Sequence, residues 1–244
     1  MGQIFLVRHG QASFGSANYD QLSPLGGEQA RMLGEWFANS GQGFDRVVTG
    51  DLQRHRQTAE ACMGVLPKSV QNSAKWSVDP GFNEYDHHEM MIRHRPDFAD
   101  PEAVKRFISE SENGKHAFQQ IFEVAMERWM SGEHEADYRE GWTAFRERCI
   151  AALDRLTKSG PTQASASERI IVFTSGGTIA TLCQHLLSMS NEKMCQLNWS
   201  LVNGAVTKLL YQREGRSSGR VSLSYLNNYA HLEWLGDAHA ITYR

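Results

Sequence analysis

The run "RIIVFTSGGTIATLCQHLL" (169–187) restricts the fold more than any other stretch of this 244-residue chain. Ile170, Ile171, Val172 and Phe173 are apolar without a break, so the strand they form has no polar face to turn toward water. Strands of this kind belong to sheets covered on both sides, which are mostly parallel sheets with helices packed on their faces. A glycine pair and a second apolar run at helical spacing follow at once. That is the strand–turn–helix order of such folds.

The order recurs along the chain. Periodicity predicts a strand at about 3–7 and a helix from about 24 to 39, with Ser23 as N-cap and Pro24 at the first helical position. It then predicts a short strand in "DRVVTG" and a helix from about 52 to 66 with Asp51 as its N-cap. "KWSVDPGFNEYD" predicts a short strand running into a loop, and "GAVTKLLYQ" and "RVSLSYLNN", flanking "REGRSSG", predict a hairpin. "PEAVKRFISES", "GKHAFQQIFEVAMERWMSG" and "GWTAFRERCIAALDRLTKSG" carry helical spacing one after another, and "SGPTQASASE" (159–168) is a polar, flexible connection. The expected fold is α/β: a three-layer α/β/α sandwich with a mainly parallel central sheet. A single domain spans 1–244, with a helical cap or insertion at about 87–158. The aromatic residues of that block (Phe118, Phe122, Trp129 and Trp142) are expected to be core rather than ligand contacts.

Charge and cysteine usage narrow the function. With 25 Lys+Arg against 28 Asp+Glu, there is no basic surplus for nucleic acid or an anionic membrane. No apolar run reaches the length of a membrane span. The N-terminus leads directly into a strand without a charged n-region or cleavage site, so no signal peptide is expected. Cys62, Cys149, Cys183 and Cys195 form no C-x-x-C pair. Reduced thiols in a cytoplasmic protein are expected rather than disulfides or zinc.

Chemistry gathers at the strand ends, where ligands bind in such folds. The first strand ends in Arg8, His9 and Gly10. "TGDLQRHRQTAE" puts Arg54 in the first turn of a helix, and Ser175, Gly176 and Gly177 open another helix. Helix N-termini present free N–H groups and partial positive charge, and arginine presents a bidentate fork. Together these features describe an anion pocket, best suited to phosphate. A neutral His9 is a competent nucleophile toward phosphorus, with the cations neutralising the transferring oxygens. Gly10 lets the backbone approach closely.

At this point the chain resembles the histidine phosphatase superfamily, the group that includes cofactor-dependent phosphoglycerate mutases. The resemblance rests on "FLVRHGQ", "YDQLSPLGGEQARMLGEWF", "VVTGDLQRHRQTAEA", "FNEYDHHE", "NGAVTKLLY" and "LNNYAHLEWL". It implies a metal-independent, cofactor-free phosphomonoester hydrolase in which His9 forms a phosphohistidine. Glu84 would be the general acid and then the base, with Asp86 and Glu89 as nearby substitutes. Arg8, Arg54, Ser175 and Gly176 would bind the phosphate of a small phosphorylated substrate or a phosphoprotein. The family usually carries a second histidine where this chain has Ser175. That departure favours a second reading, a phospho-ligand-binding or regulatory protein with weakened catalysis. A phosphoglycerate mutase ranks lower, because "ASFGSANYDQL" is a poor match to the mutase segment.

His55, His87, His88 and His231 are candidates to make up for the missing imidazole, each with a packing or surface role as the plainer reading. "DHHEMMIRH" (86–94), taken as an irregular loop, lacks a clear third metal ligand. Replacing Ser175 with histidine should raise the rate if serine is only a poor substitute. It should lower the rate if the pocket is built around serine.

Overall fold

The computed structural model describes residues 1–13, 20–158, 168–212, 220–234 and 236–243. The strands are β1 (Gly2–Arg8), β2 (Arg46–Thr49), β3 (Lys75–Val78), β4 (Arg169–Thr174), β5 (Val206–Tyr211) and β6 (Val221–Asn228). Among the described residues the helices are α1 (Pro24–Asn39), α2 (Gln53–Gly64), α3 (Lys68–Ser73), α4 (His87–His94), α5 (Pro101–Glu110), α6 (Gly114–Met130), α7 (Trp142–Lys158), α8 (Gly176–Leu187), α9 (Asn191–Ser200) and α10 (Ala230–Glu233). None is long and apolar enough to cross a membrane. The chain forms two compact units, one of Met1–Glu84 with Cys149–Arg244 and one of Tyr85–Arg148.

The first unit holds a six-stranded sheet in the order β3-β2-β4-β1-β5-β6. β1 pairs parallel with β4, and β2 pairs parallel with both β4 and β3. β5 runs antiparallel to β1 and to β6, so the sheet is mostly parallel with an antiparallel edge. The unbroken apolar run of β4 is fully buried on both faces, as are Ile4 and Leu6 of β1. This is the α/β/α layering that the sequence pattern calls for. On one face Phe5, Val7, Ile171 and Phe173 pack against Leu33 and Phe37 of α1 and Ala59, Cys62 and Met63 of α2. Phe5, Phe37 and Phe44 meet edge to face, with centroids 5.0 to 6.1 Å apart. Each such buried ring contributes about 2 kcal/mol of transfer free energy.

α1 begins where its sequence says it should, with Ser23 accepting from Gly26 N at 3.0 Å and Pro24 at the first position. α2 does not. Its N-cap is Leu52, which makes no side-chain cap bond, and the Asp51 carboxylate instead accepts from Asn83 Nδ2. The first α2 amide, Gln53 N, donates to Asp20 Oδ2 at 2.8 Å. A side chain from 33 residues upstream thus does the capping that local spacing assigns to Asp51.

In the second unit, His87 and His88 open helix α4 rather than an irregular loop, with Asp86 Oδ1 accepting from Glu89 N at 2.9 Å. The carboxylate cap draws the segment into helix. Trp129 and Trp142 are buried there, clustered with Tyr85 and Phe145, and Phe118 stacks on Phe98. The hairpin loop "REGRSSG" (213–219) and residues 159–167 of the polar connection lie outside the described residues. β5 and β6 pair up to Tyr211 and Val221 at the near side of that loop.

Candidate active site

Parallel pairing aligns the ends of β1 and β4, with Arg8 opposite Thr174, and His9 N donates to Thr174 O at 2.9 Å just beyond. His9 follows directly from β1, Ser175 follows directly from β4 and precedes α8, and Arg54 is the second residue of α2. All three are buried.

His9 is held in one protonation state. Its Nδ1 lies 2.7 Å from Gly10 O, and a carbonyl oxygen only accepts, so Nδ1 carries the hydrogen. The lone pair is then on Nε2. Burial, with the charges of Arg54 and Arg8 and the neighbouring His55, pushes the imidazole well below its ordinary pKa. The ring is therefore neutral at pH 7 and nucleophilic at Nε2. Asn203 Nδ2 donates to His9 O at 3.1 Å, fixing the backbone that carries the ring. Gly10 is needed for packing: a Cβ there would lie 2.1 Å from Gly26 O in α1. The close approach is therefore to the α1 backbone.

Arg54 Nη1 donates to Asp20 Oδ1 at 2.7 Å. Thr58, one turn along α2, donates to Arg54 O at 2.7 Å and accepts from Gly10 N at 3.1 Å, tying the second arginine to the strand end that carries His9. Arg8 Nη1 donates to Leu201 O. A Cβ on Gly176 would lie 3.3 Å from Arg8 Nε, so this guanidinium lies against the start of α8. Glu84 Oε2 accepts from Gly177 N at 3.0 Å, which puts a carboxylate on the same helix N-terminus. His9, Arg8, Arg54, Ser175, Gly176 and Glu84 are thus brought together.

The substitutes for Glu84 are committed elsewhere. Asp86 caps α4 and pairs with Arg139 at 2.6 Å. Glu89 is buried and accepts from Arg139 N. His231, on α10, lines a cavity with Met32, Glu35, Trp36, Asn39 and Trp234. His55 lies in the cluster itself. Its ring centroid is 5.8 Å from that of His9, and its Nε2 is 2.7 Å from Ser175 Oγ. Burial, then the charge of Arg54, keeps it neutral by holding its pKa well below the usual value.

Asp20, Thr58 and Asn203 complete the site without an obvious mark in the sequence. Thr58 follows Arg54 at helical spacing and is the one of the three that local pattern can reach. Among the described residues no three His, Cys, Asp or Glu side chains converge as a metal site.

A family model for the histidine phosphatase superfamily (branch 1) matches residues 4–117 and 109–223. The chain belongs to the histidine phosphatase superfamily. Within it, this histidine phosphatase family member is 35% identical over 88 residues to a broad-specificity phosphatase of Saccharomyces cerevisiae, covering 34% of this chain and 37% of that one. It is 33% identical over 78 residues to the mitochondrial serine/threonine-protein phosphatase Pgam5 of Caenorhabditis elegans, covering 32% and 27%. The chain thus spans about a third of the length of the curated relatives it matches. Its fold is shared with a phosphoserine phosphatase of Entamoeba histolytica, at TM-score 0.62 and 18% identity over 95% of this chain and 100% of that one. It is also shared with the phosphoglycerate mutase of Bacillus anthracis, at TM-score 0.61 and 18% identity over 94% of each.

Proposed function

We propose that this chain is a phosphatase that hydrolyses small phosphate monoesters through a phosphohistidine on His9. The observation that carries the reading is the Nδ1–H bond to Gly10 O on a neutral, buried ring, which leaves Nε2 as a lone-pair donor among arginines. In the first step the Nε2 lone pair forms a bond to phosphorus. The P–O ester bond breaks, and its electron pair leaves on the alcohol oxygen, which takes a proton from Glu84. In the second step water attacks phosphorus, its proton passes to Glu84, and the N–P bond electrons return to Nε2. Arg8, Arg54 and the α8 N-terminus neutralise the transferring oxygens. The Glu84 carboxylate already rests on Gly177 N–H. An arriving phosphate competes for that N–H, and its charge favours the protonated carboxyl that the first step needs.

The curated relatives named above are phosphatases, which supports hydrolysis over mutase chemistry. The test is turnover of p-nitrophenyl phosphate in the presence of a chelator, with His9→Ala beside the wild type and acid-labile labelling of the protein by a radiolabelled phosphate ester. Wild-type turnover and labelling that both vanish in His9→Ala are expected. Turnover that survives the substitution would refute the phosphohistidine route.

A further inference from the structure

His55 is an unusual side chain for its place in the fold. Ala59, Cys62 and Met63 of α2 make a buried apolar seam, and its other buried polar side chains, Arg54 and Thr58, are hydrogen-bonded; an imidazole likewise brings two polar atoms that need partners. Room has been made for it: a Cβ on Gly50 would lie 2.3 Å from His55 Nδ1. Its Nε2 reaches Ser175 Oγ at 2.7 Å, and its ring lies beside that of His9, tilted 36° to it with centroids 5.8 Å apart.

The hydrogen positions follow from what surrounds the ring. Among the described residues Nδ1 has no hydrogen-bond partner. A neutral imidazole carries one N–H. On Nδ1 that hydrogen would be a buried donor facing no acceptor, while on Nε2 it meets the serine oxygen. Buried donors are left unpaired less often than buried acceptors, so Nε2–H donates to Ser175 Oγ. The hydroxyl's own hydrogen is then left over. The serine oxygen makes no cap bond to an α8 amide, so nothing at the helix start fixes the direction in which that hydrogen points.

We propose that Ser175 and His55 work as one unit, with Ser175 donating its hydroxyl hydrogen to an oxygen of the phosphoryl group passing to His9, and His55 holding and polarising that hydroxyl from behind. This rests on the reading of His9 as the nucleophile. Ser175 is then a substrate contact and His55 a positioning residue. A hydroxyl that already accepts a hydrogen bond is a stronger donor than an isolated one, and the pair thereby supplies the donor that a lone serine supplies poorly. On this view, the departure at Ser175 is matched by His55 and catalysis is retained.

The experiment is a double-mutant cycle on the full chain, read as kcat and KM for p-nitrophenyl phosphate, with His9→Ala as the control on the underlying reading. Loss of a transition-state donor lowers kcat by about a hundredfold, so Ser175→Ala should lose about that much with little change in KM. His55→Phe, which fills the ring volume without a donor, should lose about tenfold. His55→Gln retains an N–H donor at similar reach and should stay within about threefold of wild type. The double variant His55→Phe/Ser175→Ala should be no slower than Ser175→Ala alone, because His55 acts only through the hydroxyl.

The inference is overturned if the two losses multiply, if His55→Gln is as slow as His55→Phe, or if Ser175→Ala keeps wild-type kcat. Should His55→Phe fail to fold, Ser175→Ala and His55→Gln still decide it. Turnover that persists in His9→Ala, or that is absent from the wild type, marks failure of the phosphohistidine reading itself. The inference then falls with it.

Discussion

Three buried imidazoles, His9, His55 and His231, make the stability of this fold depend on pH in a way that can be worked out beforehand. Burial pushes His9 and His55 well below their ordinary pKa, helped by Arg54 in both cases, and pushes His231 down to about 4. In the unfolded chain each returns to about 6.5. Between those values the unfolded state binds protons that the folded state refuses. The stabilisation is therefore complete above the unfolded pKa and is lost as pH falls toward the folded values. Each histidine contributes a slope of about 1.4 kcal/mol per pH unit below 6.5. Integrated from pH 7.5 to 5.5, that is on the order of 4 kcal/mol for the three rings together. Against a total of about 5–15 kcal/mol this is a large loss. The carboxylates held low by arginine, Glu28, Asp97 and Asp137, titrate beneath this window. Urea unfolding at the two pH values, followed by tryptophan fluorescence, measures the loss. His231→Leu is the informative variant, because His231 lies outside the proposed machinery and its Nε2 has no hydrogen-bond partner among the described residues. It should reduce the loss to about two-thirds of the wild-type value. A loss under about 2 kcal/mol in the wild type, or an unchanged loss in the variant, would refute the reasoning.

Gly10→Ala drives a methyl to 2.1 Å from a backbone carbonyl of α1, so it should cost about 2–3 kcal/mol in a denaturant titration and displace His9; unchanged turnover would show that α1 yields without moving it. Asp20→Asn weakens both the Arg54 pair and the bond to the first α2 amide. A stability loss of about 1–2 kcal/mol and weaker inhibition by inorganic phosphate are expected, and an unchanged inhibition constant would mean that Arg54 is positioned without it. Ser175→His should lower turnover, because His55 Nε2 already lies 2.7 Å from the serine oxygen and the space is filled; a rate increase would mean that serine is only a poor substitute. Burial pushes Cys183 up to about 12 and Cys62 higher still. In a native thiol titration Cys195, which is partly exposed, should therefore react well ahead of the three buried cysteines.

What was legible in the sequence is what local pattern determines. Ser23 and Pro24 mark the start of α1 because cap and first turn are neighbours in the chain. The double-sided burial of β4 follows from four apolar residues in a row. The arginines and His9 are recognisable because strand ends collect such chemistry. The less legible features depend on contacts across long separations. Asp20 replaces Asp51 at the start of α2 because the folded chain brings a distant loop to that helix. α9, with its weakly apolar "NEKMCQLNWS", has no stripe to announce it. The bond between His55 and Ser175 spans 120 positions. Sequence makes each a candidate, but only the fold shows that the two share a hydrogen.

The place of β1 in the sheet has a consequence for how the protein is made. The strand that leads into His9 lies between β4 and β5, and both of its partners lie more than 150 residues further along the chain. Loop closure across such separations comes late and slowly. His9 thus has to wait for β4, more than 150 residues further along, before Ser175 and α8 stand beside it. A product that stops short of β4 therefore carries His9 without the pocket that surrounds it in the folded chain.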